Sequence, residues 1–424
     1  MHRLTTTLMT AAMAFVATTA SASSVDTLHI FDADTDGSTP QTNGVLSPDG
    51  SVLFGSTTSD GPNDGGTLWR MNTDGTGFQV LRAFDGAGTS DGNYPIGGLV
   101  YQPTLGTDQL FGVNLRGGNA NDDGTLWRMN TDGTGYQVLH TFSDPTDGRQ
   151  PYDIRPYDDG FIGTASDGGP NLANFKRGTI WRIDSTGANF QVLADFGFGT
   201  STGNIPQYAP TPVANTLYGS AQQGGVDGGG TLFRVNDDGS NFTVIASFDN
   251  AANELRNPFS RLIEADGSLY GLLSGGGAND EGAIFRFTPD GDADDLEVVY
   301  DFGGPSGLTD PAGGMSLSPD GQSLVGTTYG GGIDDRGVLW SFDLDSLNLD
   351  VLADLGPDGW GNFGVGPGPL FSPDGLTLYG TTEIGGPDFN GTVWSYTIPE
   401  PTTAALLGLG GLALLRRRGK TTAC

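Results

Sequence analysis

The chain has 424 residues, 71 of them glycine and one cysteine, and its 50 acidic and 19 basic side chains give a formal charge of −31. That balance repels nucleic acid and anionic lipid, which disfavours both as partners. The single cysteine, Cys424, rules out a disulfide framework, a zinc ribbon and thiol catalysis, so stability must come from a large closed core.

At the N-terminus Arg3 precedes an apolar run from Leu4 to Ala17, and Ala20-Ser21-Ala22 has the small-x-small spacing of a cleavage site. Residues 1–22 are expected to be a signal peptide, with the exported chain starting near Ser23. Between the two ends, residues 23–398 hold 14 basic and 49 acidic side chains, a formal charge of −35. The first strand-like segment is Thr27-Leu28-His29-Ile30-Phe31, followed by Asp32-x-Asp34-x-Asp36-Gly37. The triplet Asp32, Asp34 and Asp36 has the opening of an EF-hand loop and is the candidate metal site, with calcium the ion it would take; the competing reading is a polar Asp-Gly loop, and no cofactor is otherwise expected. Asn43 stands where the twelfth-position acid belongs, and no helical pattern flanks the loop. Asp290-x-Asp292-x-Asp294-Asp295 is a similar fragment.

From there the chain is repetitive. A Gly-x-aliphatic-aromatic-Arg/Ser motif begins at Gly66, Gly124, Gly178, Gly230, Gly282, Gly337 and Gly391, with spacings of 58, 54, 52, 52, 55 and 54 residues. Each unit adds an inner segment such as GGLVY (97–101), an LYGTT-type segment such as LFGST (53–57), and an FQVLxxF-type segment such as FQVLRAF (78–84). All have strand length, alternation and Gly/Asp/Pro borders, and no helical periodicity occurs. Four antiparallel strands per unit of about 54 residues predict an all-β fold, a seven-bladed β-propeller over 23–398. The internal FQVLxxF strand occurs only six times, and nothing of its kind follows Gly391 to Ile398. Thr27 to Phe31 matches VLHTF (138–142) and is expected to complete the last blade, which hides both end edges.

The stretch GTLWRMNTDGTGFQVLRAFDGAGTSDGNYPIGGL (66–99) resembles the GloVer tandem repeat of bacterial surface proteins, and the likeness extends over nearly all of 23–398. The resemblance implies tandem β-repeats at the cell surface and no assigned activity.

In a propeller with strand one innermost, the short Ser-Pro-Asp-Gly and Asn-Thr-Asp-Gly turns share one face. The long Asp/Gly-rich loops (85–95, 143–152, 166–177 and 303–313) share the other, where a ligand site is expected. Trp360, outside the repeat, is the ligand-binding candidate there. The motif aromatics Trp69, Trp127, Trp181, Phe233, Phe285, Trp340 and Trp394 are expected to pack between blades rather than stack on sugars. The arginines that follow five of them (Arg70, Arg128, Arg182, Arg234 and Arg286) are expected to pair structurally. Only His29 and His140 remain in 23–398, and no catalytic triad forms around either, so no catalytic residue is assigned and the chain reads as a non-enzyme. The expected role is a binding or structural one toward a glycan or surface protein. The alternative is a carboxylate-dependent glycan hydrolase or lyase working from the long-loop face.

At the C-terminus Pro399-Glu400-Pro401 leads into an uncharged stretch, Ala404 to Leu415, and then Arg416-Arg417-Arg418. Motif, apolar run and basic cluster in this order resemble the PEP-CTERM sorting signal. The resemblance implies an exosortase-type enzyme as a processing partner, a removable tail over 399–424 that meets the membrane only in transit, and delivery to the envelope, surface or extracellular matrix.

Overall fold

Alternation of apolar and polar residues, broken by Asp-Gly turns, folds each repeat into one antiparallel sheet, and seven such sheets form a ring in the computed structural model. The structure describes residues 23–399 except 87, 105, 171–175, 198–200, 252–253, 292–294, 334 and 356–367. The expected signal peptide (1–22), Trp360, and Glu400 and Pro401 of the expected sorting motif lie outside the described residues. Blades 1 to 7 begin at Val45, Asn93, Arg149, Thr211, Arg256, Thr309 and Leu370. The first strand of a blade touches the first strand of its neighbour, as Asn93–Gln102 does Arg149–Tyr157, so first strands line the axis. In blade 5 this strand is split into Arg256–Pro258 and Ile263–Ala265.

Closure follows the expectation. The strand Asp26–Ile30 pairs antiparallel with Thr392–Thr397, placing Thr27 opposite Trp394 and His29 opposite Val393. The ladder begins one residue earlier than the sequence pattern suggests. Phe31 leaves it, donates its backbone N–H to the Gly391 carbonyl at 3.1 Å and buries its ring against Trp69 of blade 1. The structure adds a contact with no sequence signal: Ser23–Ser24 runs parallel beside Leu349–Asp354 of blade 6. Nine residues therefore tie blades 6, 7 and 1 together.

The repeated letters have separate mechanical roles. The motif aromatic is buried in all seven blades and sits directly across the strand pair from the glycine of the LYGTT segment, as Trp127 does from Gly112 and Phe233 from Gly219. A Cβ on any of these seven glycines would lie under 3.0 Å from the ring. Their φ angles are ordinary, so the requirement is space rather than backbone conformation. On its other side each ring meets the last aromatic of the preceding blade. Phe31–Trp69, Phe84–Trp127, Phe142–Trp181, Phe196–Phe233, Phe248–Phe285 and Phe302–Trp340 have ring centroids 5.2–6.4 Å apart. Leu355 takes this place against Trp394.

The motif glycine lies at φ +83° to +108° and carries the proline that opens the next blade: Pro95 on Gly66, Pro151 on Gly124, Pro206 on Gly178, Pro258 on Gly230, Pro311 on Gly282 and Pro40 on Gly391. The motif threonine holds the loop that enters its own blade. Thr67 and Thr179 donate to the carbonyls of Asp36 and Asp147, and Thr231 to that of Thr202.

The hairpin turns use their aspartates as acceptors. Asp49 accepts from the Ser47 and Ser51 hydroxyls and the Ser51 amide, which lowers its pKa to about 2. Asp74, Asp132, Asp184, Asp238, Asp320, Asp343 and Asp374 are lowered by the same kind of hydroxyl and amide contacts. A carboxylate whose pKa falls on folding stabilises the fold above its unfolded value, 3.8, and that contribution disappears as pH falls through the folded value. Thermal stability is expected to hold near neutral pH and to drop between pH 3.8 and about 2, which melting curves across that range will test.

Two mutations probe the packing. Gly112→Ala is expected to destabilise by about 1–3 kcal/mol through overpacking against Trp127. Trp127→Phe, the ring that blades 4 and 5 already carry, should cost less, as comparison of unfolding midpoints will show. Deleting residues 23–31 exposes the Thr392–Thr397 edge and should give edge-paired assemblies larger than those of the intact chain on size-exclusion chromatography.

Candidate functional site at the channel mouth

In six blades the residue just before the opening proline has an unusual backbone. Thr39, Tyr94, Gln150, Ile205, Asn257 and Asp310, each followed by proline, have φ between +52° and +61°. This left-handed region is costly for non-glycine residues, and most of all for β-branched Thr39 and Ile205. Several of their carbonyls are caught by the end of the second strand: the Thr58 hydroxyl donates to Thr39, Ser166 to Gln150 and the Gln222 amide to Ile205. The backbone is held uniformly, whereas the side chain changes from blade to blade. These residues stand where the long loops enter the innermost strands, on the face where the sequence placed a site.

An apolar plug of side chains from four blades sits at the axis. Ile96, Tyr208, Tyr94, Leu115, Tyr152 and Phe259 pack together from blades 2, 3, 4 and 5, and blades 2 and 5 are not neighbours, so their side chains meet on the axis. One residue further along the strands is an ionic floor. Asp153, fully buried in blade 3, receives the Arg261 guanidinium of blade 5 through Nε at 2.6 Å and Nη2 at 2.5 Å. It also accepts the amides of Gly98 in blade 2 and Ala209 in blade 4, both at 2.9 Å. Arg155 donates to the Thr211 hydroxyl at 2.7 Å, and burial, then Arg261, lowers its pKa to about 10. Every lone pair that matters on Asp153 is taken, so this pair holds four blades in register rather than offering a reactive group.

The opposite wall of the mouth is acidic. Glu383 of blade 7 accepts from the Gln41 side chain at 2.8 Å, while its other carboxylate oxygen is buried without a hydrogen-bond partner. Its charge, after burial and Tyr94, helps push the Tyr152 phenol upward. Burial, then Asp335, raises Asp310, and burial, then Asp310 and Asp280, raises Glu281. Burial first, and then Glu383 and Asp310, also raises Tyr329. The rim arginines Arg149 and Arg256 pair with Asp167 and Asp280. Arg116 lies 5.1 Å from the centre of the Tyr94 ring.

The calcium candidates are partly drawn into the repeat. Asp32 accepts the amides of Asp34 and Thr35, and Asp36 accepts the Asp32 amide and the Thr35 hydroxyl. Asp36 also meets His29 Nε2 at 3.0 Å, as Asp147 meets His140 at 2.7 Å in blade 2, where no aspartate triplet exists. His29 stacks on Phe78 at 3.7 Å and His140 on Phe190 at 4.0 Å; burial lowers the His29 pKa against the opposing pull of Asp36. Among the described residues no group of three or more His, Cys, Asp or Glu side chains is placed to hold a metal ion. Asp290 instead accepts from the Tyr218 hydroxyl at 2.9 Å and Arg234, across the blade boundary, and Asp292 and Asp294 lie outside the described residues. Of the five motif arginines, Arg234 and Arg286 pair with the carboxylates of Asp290 and Glu297, whereas Arg128 and Arg182 meet neutral acceptors, the Gln137 side chain and the Asp237 carbonyl. The rim and plug residues escaped the sequence reading. An X-Pro pair recurring about 30 residues after six of the seven motif glycines was the available signal.

No curated protein matches the sequence. Among solved structures the chain is similar to an oligogalacturonate lyase in complex with manganese, with 15% identity, a TM-score of 0.53, and coverage of 89% of this chain and 96% of that one. It is also similar to an extracellular domain assigned to a hybrid two-component system of B. thetaiotaomicron, with 13% identity, a TM-score of 0.53, and coverage of 87% of this chain and 39% of that one. At these identities the likeness shows the propeller fold alone. The sequence pattern of the Gloeobacter/Verrucomicrobia repeat matches residues 13–173 and 154–394, and the chain belongs to that repeat family.

Proposed function

We propose that this is an exported envelope or matrix propeller that acts by binding rather than catalysis, with its ligand face at the long-loop mouth of the channel. The observation that carries the proposal is the contrast within the repeat. The Gly, Thr, aromatic and Pro positions stay nearly constant because packing requires them, while the residue before the proline varies as Thr, Tyr, Gln, Ile, Asn and Asp on one backbone shape. A rigid scaffold that presents different side chains at equivalent points suits recognition of an asymmetric ligand. The N-terminal cleavage pattern and the tail resembling an exosortase signal support export, and a surface charge of −35 favours solubility outside the cell.

The catalytic alternative draws on Glu281 and Asp310, acids whose pKa values are raised at the same rim. A glycan array and a reducing-sugar release assay on the host's own exopolysaccharide separate the two. Binding without release of reducing ends is expected; turnover abolished by Glu281→Gln or Asp310→Asn would establish the enzyme instead. Gln150→Ala with Asn257→Ala should weaken binding about ten-fold, the loss of one or two hydrogen bonds to a polar ligand. The same substitutions at the turn residues Asp132 and Asp184, on the opposite face, should leave binding intact.

A further inference from the structure

Closure by the N-terminal strand leaves one blade without a hairpin. In blade 7 the third strand, Thr392–Thr397, and the fourth, Asp26–Ile30, come from opposite ends of the chain, so no turn joins them. In blades 1 to 4 and 6 that turn has a second task, which is to cover the fourth strand of the preceding blade. A Cβ on the turn glycines Gly75, Gly133, Gly187 and Gly239 would come within 2.8–3.5 Å of the carbonyl oxygens of Leu28, Leu81, Leu139 and Leu193. In blade 6 the turn residue Leu344 packs in one cluster with Val299 and Tyr300 of blade 5. Leu352 holds the equivalent position in blade 6, since Val351 lies opposite Trp340 as Val80 lies opposite Trp69. It lines a groove of about 320 Å³ between blades 6 and 7 on the short-turn face, together with Val325, Phe371, Ile398, Asp320 and Asp374. Ile398 starts out as its counterparts do: its amide donates to the Leu376 carbonyl at 2.8 Å, as the Thr73 amide does to Ser51 and the Thr131 amide to Asp108. The chain therefore leaves the last blade where the others turn, beside the groove.

We propose that this groove is the docking site of the chain's own C-terminal segment, with the start of its apolar run, Ala404 to Leu407, taking the place of the turn that blade 7 lacks. The first argument is reach. Ile398 is part of the groove wall, and the five residues from 399 to 403 span at most about 18 Å when extended, so Ala404 is tethered close by at high effective concentration. The second is chemistry, because Leu406 and Leu407 offer apolar side chains to walls made by Val325, Leu352 and Phe371. The third is charge. Beyond the run stand Arg416, Arg417 and Arg418, while hydrogen bonds from the Ser318 and Ser372 hydroxyls keep Asp320 and Asp374 ionised beside the groove. A second folded ring would instead bring another charge of −35 to an equally acidic surface. The groove exists only when blades 6 and 7 stand side by side, so docking makes shielding of the apolar run conditional on a finished ring. It is independent of the ligand face at the mouth.

The test is disulfide trapping in the chain from Ser23 to Cys424, with Cys424→Ser removing the native thiol. Leu406→Cys is combined either with Ser323→Cys on the groove wall or with Ser51→Cys, an exposed turn residue of blade 1 on the other side of blade 7. The expected result is a bridge within one chain that forms at least about ten-fold faster at position 323 than at position 51. Leu407→Asp, which lies outside the ring, should abolish that preference. Filling the groove with Ser341→Tyr should speed thermolysin cleavage between Leu406 and Leu407 about ten-fold at an unchanged melting temperature, because the protease samples the undocked chain. Equal rates at positions 323 and 51, or a preference that survives Leu407→Asp, overturn the docking site. Cleavage that Ser341→Tyr leaves unchanged overturns it as well. Bridges that form between two chains overturn docking within one molecule and assign the groove to the tail of a second copy.

Discussion

A ring of side chain laid across a bare backbone holds this molecule together. In every blade an aromatic from the third strand covers the glycine opposite it on the second, with no room for a methyl group between them. That close approach lets two sheets pack with aromatic volume between them, and the aromatic or leucine that ends the preceding blade seals the other side. Each blade thus supplies half of two contacts, and none can bury its own ring alone. Stability is therefore shared around the circle. This is the usual logic of repeat proteins, except that here the first and last units are also neighbours.

Closure follows from that dependence. Without Phe31, Trp69 of blade 1 would lose the partner that every other blade obtains from the unit before it. The N-terminal strand meets both needs, covering the Thr392–Thr397 edge and delivering Phe31 to the next blade. His29 in this strand reproduces His140 of blade 2 down to its aspartate partner and its stacked phenylalanine. The pair of histidines belongs to the blade junction, where one ring nitrogen is matched by a carboxylate and the ring face by an aromatic.

The two faces of the ring differ in character. The short-turn side is saturated: its aspartates accept hydroxyl and amide hydrogen bonds within their own turns, which lowers their pKa values. The long-loop side has the opposite character. There the backbone is strained before the opening prolines of six blades, two carboxylic acids are pushed upward by burial and then by neighbouring carboxylates, Asp335 on Asp310 and Asp310 with Asp280 on Glu281, and a buried tyrosine hydroxyl is unmatched. The framework keeps unmatched atoms of its own: the indole Nε1 of Trp69, Trp127, Trp181, Trp340 and Trp394 is buried without a hydrogen-bond partner among the described residues.

The linear pattern determined the blade count, the four strands, the closure by Thr27 to Phe31 and the burial of the motif aromatics. Each of these is a local property repeated seven times, and repetition makes a weak local signal legible. The same arithmetic drew attention to Asp32, Asp34 and Asp36 as a metal loop, although Asp36 also serves a corner that recurs at Asp147 without a triplet. The mouth was out of reach of such reasoning. Asp153 and Arg261 are 108 residues apart and share no motif, and Tyr152, Tyr208 and Phe259 fall in segments that differ from their counterparts in other blades. Only the ring brings them together, because the axis is the one place where side chains from non-adjacent blades can touch.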